Sequence, residues 1–257
     1  MSFTICRGYP VIVALYLMLS LAGCATTAVN LHPEAPAMHT VSEFSNDERI
    51  AGIDDPWEGF NRNMYKLNYY LDKYLFLPVV NGYEFITPTF AQSGVSNFFN
   101  NIGEVRTLYN SLFQVKGVKA ISTLARFLTN STIGIGGFFD PATHFGLKKQ
   151  NEDFGQTLGY WGVNTGPYLV VPVLGPSTVR STGGFAVDAG VRYAIVTATE
   201  PFENVENGNV ILAGISTLEF IDLRHGENFR YYESGYPFEY YMVRFVYHQK
   251  REFLLME

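Results

Sequence analysis

A chain of 257 residues is long enough for one large domain or two small ones. Hydrophobic residues make up 47% of it and charged residues only 16%, which excludes a disordered chain, since disorder needs low hydrophobicity and high charge. The net charge of −6 argues against nucleic acid as a partner, because binding to phosphates along a strand needs a basic face.

The N-terminus has the features of a cleaved export signal. Arg7 supplies a sparse positive charge, and residues 11–21 form a nearly unbroken apolar run that is too short to span a bilayer comfortably. The sequence LAGC at residues 21–24 resembles the lipobox of bacterial lipoproteins, in which the cysteine is acylated. We therefore predict a lipoprotein signal peptide at residues 1–23 and lipidation of Cys24. The alternative is an ordinary signal peptide with a chance cysteine.

The residues around the predicted lipidation site indicate where the mature chain resides and how it is stabilised. Cys6 would leave with the signal and Cys24 would carry lipid, so the mature domain has no disulfide and depends on its core. Ala25 stands where an Asp would retain a lipoprotein at the inner membrane, which favours the outer membrane of a Gram-negative cell. Residues 24–52 are small, polar and aperiodic, typical of a tether. We predict an acylated tether there and a folded domain at 53–257.

A helical pattern begins at Asp54. Asp55 is a good N-cap and Pro56 suits the first helical position. Apolar residues then recur at spacings of three and four, which predicts an amphipathic helix; they are Trp57, Phe60, Met64, Leu67 and Leu71. The Leu77-Pro78 pair is expected to break this helix.

Further helices follow by the same periodicity. The Thr87-Pro88 pair is expected to open a second one. Apolar residues at helical spacing predict a third around residues 105–112, a fourth at 118–130, one around 211–221 and a last one from 238 onward. Strand-like alternation is scarce; residues 168–174 are the best candidate, but Pro172 interrupts them. We predict an all-α fold in a single helical domain without internal repeats.

Motifs that would mark an enzyme are missing from the sequence. It contains no H-E-x-x-H zinc motif, no G-x-S-x-G nucleophile elbow and no phosphate-binding Walker loop. We therefore predict that the protein is not an enzyme and uses no metal or cofactor.

The stretch FGQTLGYWGVNTGPY at residues 154–168 is rich in glycine. In a helix, Gly155, Gly159 and Gly162 would share one face, and such faces let helices approach closely within lipid. Each interior glycine costs about 1 kcal/mol relative to alanine, so close packing or deliberate mobility must offset it. The bulky Tyr160 and Trp161 lie among these glycines. The alternative is that they are turn glycines in a loop.

Four segments together resemble the MlaA/VacJ family of phospholipid-transport lipoproteins. They are DPWEGFNRNMYKLN at 55–68, VSNFFNNIGEV at 95–105, RFLTNSTIGIGGFFDPA at 126–142 and FGQTLGYWGVNTGPYLVVPVLGPSTVR at 154–180. The similarity covers nearly all of the mature chain. Ser181 departs from the family pattern, which usually has Asp after the Arg.

The resemblance implies a ring-like helical protein, lipid-anchored and embedded in the periplasmic leaflet of the outer membrane. Such a protein would take phospholipids from the outer leaflet through a central channel and pass them to a soluble periplasmic carrier, with trimeric porins as partners. It also implies two sets of residues. Asp55, Phe60, Asn61 and Arg62 form a structural motif, whereas Gly155, Gly159, Tyr160, Trp161 and Gly162 are lipid-path or gate candidates beside the channel.

Physical considerations agree with this hypothesis but leave others open. Exposing roughly 30 acyl CH₂ groups to water costs about 24 kcal/mol, so a lipid mover must offer a continuous apolar route. One face of the last helix, Tyr240, Arg244, Tyr247 and Arg251, is either a belt at headgroup depth or an ordinary solvated face. The main alternative function is a structural lipoprotein that scaffolds porins or envelope assembly without moving lipid. A lipid hydrolase is a third, which the missing nucleophile motif disfavours.

Overall fold

A computed structural model describes residues 55–256. The predicted signal peptide (1–23), Cys24 and the tether (24–52) lie outside the described residues, so those domain boundaries stay predictions. The described elements run in the following order: α1 (Glu58–Leu71), a π-helical segment (Asp72–Phe76), α2 (Leu77–Ile86), α3 (Thr89–Phe113), α4 (Gly117–Thr132), α5 (Pro141–His144), α6 (Phe154–Tyr160), β1 (Tyr168–Val171), β2 (Gly175–Thr178), α7 (Val179–Thr199), α8 (Gly208–Gly226) and α9 (Glu239–Met256).

The first helix begins later than predicted. Trp57 occupies the N-cap position of α1 and makes no side-chain cap, so the prediction that Asp55 caps this helix is wrong. The Asp55 carboxylate instead accepts hydrogen bonds from the Tyr240 hydroxyl at 2.6 Å and the Arg244 guanidinium at 3.0 Å. The side chains of Arg244 and Asp55 are both buried, so either charge would be strongly destabilising without the other, and this pairing decides where Asp55 lies.

Pro78 does not break the helix, contrary to prediction. The chain stays helical from α1 through the π-helical segment into α2, where Pro78 lies in the first turn. In the π-helical segment the N–H of Leu77 bonds to the carbonyl of Asp72, five residues earlier. This widened turn shifts the hydrogen-bond register just before the proline, whose missing N–H is tolerated in a first turn.

The later helices match the prediction in most places. Thr87 and Pro88 are extended, and α3 begins directly after them as predicted. The second and third predicted helices are one, because α3 continues unbroken for 25 residues to Phe113. The predicted helices in the regions of α4, α8 and α9 are confirmed. Sequence periodicity missed α7 entirely, since its apolar residues do not gather on one face.

The predicted fold class is confirmed: the described chain is mostly helical, with a small two-stranded antiparallel sheet. Strand β1 falls within the candidate segment, and β2 pairs with it so that Tyr168 faces Thr178 and Val171 faces Gly175. Pro172 lies in the connecting turn rather than in the strand, so it interrupts no ladder hydrogen bond.

The main apolar core lies where this hairpin meets the first and last helices. Its fully buried members are Tyr65, Tyr168, Val170, Tyr240 and Tyr241. Several of the tyrosine rings meet edge to face, as with Tyr65 and Tyr240 at a centroid distance of 5.9 Å. Helix α9 therefore closes the fold by packing on the elements that come first in the chain.

Candidate functional site

Helices α3 and α4 pack against each other with their polar sides inward. On α4 the apolar Val118 and Ile121 are 86% and 73% exposed, whereas Arg126 is only 2% exposed. The same inversion holds along most of both helices, with Phe99 and Ala120 as buried apolar exceptions. The exposed apolar residues are Phe90, Phe98, Ile102, Leu112, Phe113, Val118, Ile121, Leu124 and Leu128, and the buried polar ones are Asn101, Glu104, Thr107, Asn110, Ser111, Thr123, Arg126 and Asn130. An apolar exterior of this extent marks a surface that contacts lipid or another protein rather than water.

Arg126 is the centre of the polar interior. Its guanidinium donates to Glu104 at 2.8 Å and to Asp140 at 3.1 Å, and it also bonds to Thr143. Burial alone would raise the pKa of Asp140, but hydrogen bonds from Thr143 and Asn130 together with Arg126 hold that pKa at about 2. Burial outweighs Arg126 at Glu104, whose pKa is raised. The charged groups around Arg126 therefore depend on their pairing, because any one of them would be destabilising if it were buried without its partners.

Two of the three singled-out glycines are closely packed. Gly155 and Gly159 lie in α6, a short helix capped by the Asp153 carboxylate, which accepts from the N–H of Gln156 at 2.8 Å. A Cβ on Gly155 would lie 2.8 Å from Nη2 of Arg251. A Cβ on Gly159 would lie 2.7 Å from Cδ2 of Leu255. Neither position has room for a side chain unless its neighbours shift.

Gly162 is different, and its predicted place on the same helix face is wrong. Helix α6 ends at Tyr160, and Gly162 follows with a φ of +88°. Its N–H donates to the carbonyl of Gly159, and the N–H of Val163 donates to the carbonyl of Leu158. This bonding pattern is a Schellman termination, which requires a left-handed residue after the helix. The turn-glycine alternative therefore holds for Gly162.

A fourth glycine, missed by sequence reasoning, completes the helix crossing. Gly184 of α7 faces α6 so closely that a Cβ there would lie 2.2 Å from the backbone N of Gly155. The adjacent pair Gly183-Gly184 in the sequence was the available signal. Helices α6 and α7 therefore touch backbone to backbone.

The two aromatic gate candidates lie at the exposed end of α6. Tyr160 and Trp161 are each about half exposed. The indole N–H of Trp161 donates to the carbonyl of Phe113 at 3.1 Å, and its ring lies 5.8 Å from that of Phe154. The structure thus joins the end of α6 to the apolar end of α3.

The predicted structural motif near the start of α1 contains a buried amide. Asn61 is 0% exposed, and its side chain donates to the Asp55 carboxylate at 2.7 Å and to the Tyr168 carbonyl at 3.0 Å. Its Oδ1 accepts from the N–H of Val170 at 2.8 Å. Asn61 thereby fixes β1 against α1 by bonding to the backbone groups that a further strand would have used.

The other two residues of that motif face different surroundings. Arg62 pairs with Glu58 at 2.8 Å and lies over the rings of Tyr240 and Tyr241 at about 5 Å. Phe60 is half exposed and, with Trp57, lines an apolar hollow of about 630 Å³ against β1 and α7.

The polar face of α9 is neither a headgroup belt nor a solvated face, so both predictions for it are wrong. Of its four residues, Tyr240, Arg244 and Arg251 are buried and Tyr247 is partly buried. Arg244 reaches Asp55, and Arg251 holds the Asp153 carboxylate with both terminal nitrogens, at 2.6 and 2.9 Å. Carboxylates far away in the sequence turn this face inward, and helical spacing alone cannot reveal them.

The comparisons with known proteins fit this geometry. The family described as MlaA lipoprotein matches residues 53–254. The chain belongs to the MlaA lipoprotein family. Membership in this family implies association with a membrane. Within residues 55–256, none of the helices combines the length and hydrophobicity that crossing a bilayer requires.

Relatives of the chain extend this assignment. The protein named intermembrane phospholipid transport system lipoprotein MlaA of Escherichia coli (strain K12) is 35% identical, over 79% of each chain. A protein of Rickettsia prowazekii (strain Madrid E) is 36% identical over 143 residues, so this chain spans just over half of that relative's length, 57%. A structure solved under the heading "Structural basis for maintenance of bacterial outer membrane lipid asymmetry" has a TM-score of 0.58 at 28% identity. The structural match covers 79% of this chain and 99% of the solved chain.

Proposed function

We propose that the protein is an outer-membrane lipoprotein that removes phospholipids from the outer leaflet and passes them to a periplasmic carrier, maintaining lipid asymmetry. The observation that carries this proposal is the inverted helix pair α3–α4. Its apolar residues face outward while Arg126 and its carboxylate partners face inward. A lipid mover needs both, an apolar surface for acyl chains and a polar region for the headgroup.

The same inversion supports a position within one leaflet. Side chains such as Val118, at 86% exposed, are unfavourable in water, and each CH₂ buried in lipid gains about 0.8 kcal/mol. We infer that the domain forms a ring-like body in the periplasmic leaflet and that acylation of Cys24 anchors it there.

We assign the lipid path to the neighbourhood of α6. Three features occur here within eight residues: the closely packed Gly155 and Gly159, the exposed rings of Tyr160 and Trp161, and the left-handed turn at Gly162. Aromatic rings of this kind suit the boundary between headgroups and acyl chains. In this proposal the segment is a gate beside the channel.

The partners follow from the place proposed for the protein. A trimeric porin is the partner that would cover part of the exposed apolar surface within the outer membrane. A soluble periplasmic carrier would receive the lipid. The same surface equally suits the alternative function, a lipoprotein that scaffolds porins or envelope assembly without moving lipid.

The test compares a deletion strain with a strain that carries the intact gene. We expect the deletion to accumulate phospholipid in the outer leaflet, measured by labelling of surface-accessible lipid, and the intact gene to reverse it. A porin-assembly defect with normal lipid asymmetry would support the scaffold instead. Release of acyl chains by the purified protein would support the hydrolase.

A further inference from the structure

Arg180 is a buried cation whose hydrogen-bonding capacity is only partly used. It is the second residue of α7 and only 6% exposed. Its Nη1 donates to the carbonyl of Val163 at 2.9 Å. Neither Nε nor Nη2 has a hydrogen-bond partner within residues 55–256. Buried guanidinium groups are normally bonded along every edge, so these two nitrogens require an explanation.

The two unused nitrogens form one edge of the guanidinium. That edge presents two parallel N–H groups, which match two oxygens of a carboxylate or phosphate. The same edge of Arg224 shows the pairing in this protein, because its Nε and Nη2 bond to the two oxygens of Asp72 at 2.5 and 2.8 Å. Arg180 presents the same fork to no oxygen in the described chain.

The two carboxylates whose charges act on Arg180, those of Asp153 and Glu252, bond to other residues. Asp153 takes both terminal nitrogens of Arg251, and Glu252 accepts from the Thr165 hydroxyl at 3.3 Å. Burial, with Arg251 nearby, lowers the pKa of Arg180. No acidic side chain of residues 55–256 lies within ion-pair distance of its guanidinium, so an oxyanion from outside the described chain is the group that would complete it.

The backbone around Arg180 shows that the guanidinium, rather than the helix end, is the free donor. The N–H of Arg180 bonds to the carbonyl of Thr165, and the N–H of Ser181 bonds to the Thr178 hydroxyl. Helix α6 presents Gly159 to this guanidinium, so closely that a Cβ there would lie 3.0 Å from Cζ of Arg180. Residues 161–164 are exposed, and this segment contacts the guanidinium through the Val163 carbonyl, which accepts from Nη1.

We propose that Arg180 binds the phosphate of a phospholipid headgroup through its Nε–Nη2 edge when residues 161–164 move aside. The proposal rests on the proposed function, which brings phospholipid to this segment. An oxyanion carried on a lipid suits the position, because two half-exposed aromatic residues supply surface for the glycerol and acyl chains: Tyr160, directly before this segment, and Trp161, its first residue.

The experiment measures thermal unfolding of the full-length protein in a phosphate-free nonionic detergent. Phosphatidylglycerol is compared with diacylglycerol of the same chains, and glycerol 3-phosphate with glycerol. We expect phosphatidylglycerol to raise the Tm of the wild type by about 4 °C and diacylglycerol to leave it unchanged. Arg180→Met should melt above the wild type without ligand, because it removes an unsatisfied charge, and should lose the response. Arg106→Met, which removes an exposed arginine, should keep it.

Arg180→Lys provides a second test should the methionine variant fail to fold. It keeps the charge but not the fork, so the shift with phosphatidylglycerol should fall by more than half. An undiminished shift in either variant, or an equal shift with diacylglycerol, would overturn the proposal. A full shift with glycerol 3-phosphate alone would overturn the lipid source and assign a soluble phosphate. Lipid asymmetry is measured separately, so an Arg180-dependent shift beside normal asymmetry in the deletion strain would refute transport and retain the site.

Discussion

Gly184 and Gly155 meet at the crossing of α7 and α6, where a Cβ on Gly184 would lie 2.2 Å from N and 2.5 Å from Cα of Gly155. The obstacle is backbone, which cannot rotate away as a side chain can. We predict that Gly184→Ala separates the two helices and destabilises the protein by about 1–3 kcal/mol, measured by thermal unfolding.

Gly183→Ala is the matched control for this prediction. The two glycines are adjacent in the same helix, and a Cβ on Gly183 meets nothing within 4 Å in the described part of the chain. The control should be neutral or slightly stabilising, because alanine is the better helix former. Equal melting temperatures for the two variants would show that α6 and α7 are not in backbone contact.

The second prediction separates packing from gating at Gly159. A new Cβ there meets Leu255 Cδ2 at 2.7 Å and Cζ of Arg180 at 3.0 Å, both near the ends of long side chains that must shift, so Gly159→Ala should lower the melting temperature only slightly. Gly159→Leu should cost about 1–3 kcal/mol and lower protein abundance. If the segment is a gate, Gly159→Ala raises outer-leaflet phospholipid at normal abundance. Wild-type asymmetry in both variants would remove Gly159 from the lipid path.

The third prediction concerns the buried amide of Asn61. Asn61→Ala leaves the Tyr168 carbonyl and the Val170 N–H without their partner, which costs about 1–3 kcal/mol for a buried group. Asn63→Ala is the control, since Asn63 lies two residues away on the exposed side and bonds only within the helix. Denaturant unfolding should show a clear loss for Asn61→Ala alone; similar losses for both variants would contradict the role of Asn61.

How far the sequence predicts this fold depends on whether the deciding contact is local. Thr87 and Pro88 correctly predict a helix boundary, because proline restricts its own neighbour. The prediction that Asp55 caps the helix is wrong, because Asp55 satisfies the local rules for a cap yet pairs with Arg244, 189 residues later. At Gly162 the local rule for helix termination decides the structure, and the helical spacing of the three glycines predicts it wrongly.

In the candidate site, too, local features can be predicted from the sequence and long-range contacts cannot. Periodicity located the exposed apolar residues of α4 without indicating that they face outward, because amphipathic spacing looks the same in either orientation. The orientation is set by Glu104 and Asp140, which draw Arg126 inward. Those carboxylates lie on other elements, so only the three-dimensional structure reveals them.

The fourth prediction concerns acid stability at Asp153. Burial would raise the pKa of this carboxyl from its ordinary 3.8, but Arg251 and the N–H of Gln156 hold it at about 2. A lowered folded-state pKa adds stability above the unfolded pKa, and this stability is lost as pH falls through the folded value. The wild type should therefore lose about 2 kcal/mol of unfolding free energy between about pH 4 and pH 2 from this group.

Arg251→Met isolates that contribution. The variant should be less stable than the wild type at pH 6, and the difference should shrink as the pH falls through this window. A difference that stays constant from pH 6 to pH 2 would show that Arg251 acts through packing alone. Thermal unfolding across the pH series provides the measurement.

The fifth prediction tests contact between α4 and lipid. Val118 is 86% exposed, so Val118→Glu creates no clash within the chain, and Val118→Leu is the matched apolar control. In detergent both should melt like the wild type. A charge in hydrocarbon costs about 2.5–3.5 kcal/mol, so only Val118→Glu should weaken partitioning into vesicles. Equal partitioning would place this face in water.

The contacts of α9 with the start of the chain set an order of folding. Tyr240 reaches Asp55 across 185 residues and Tyr65 reaches Glu239 across 174. Contacts of such long range form slowly, because a large loop must close before any of them is gained. Helix α1 is synthesised well before α9 but has these buried partners only once α9 has been made. The chain therefore acquires this core as its final event, and a product that ends before α9 leaves α1 without a place to dock.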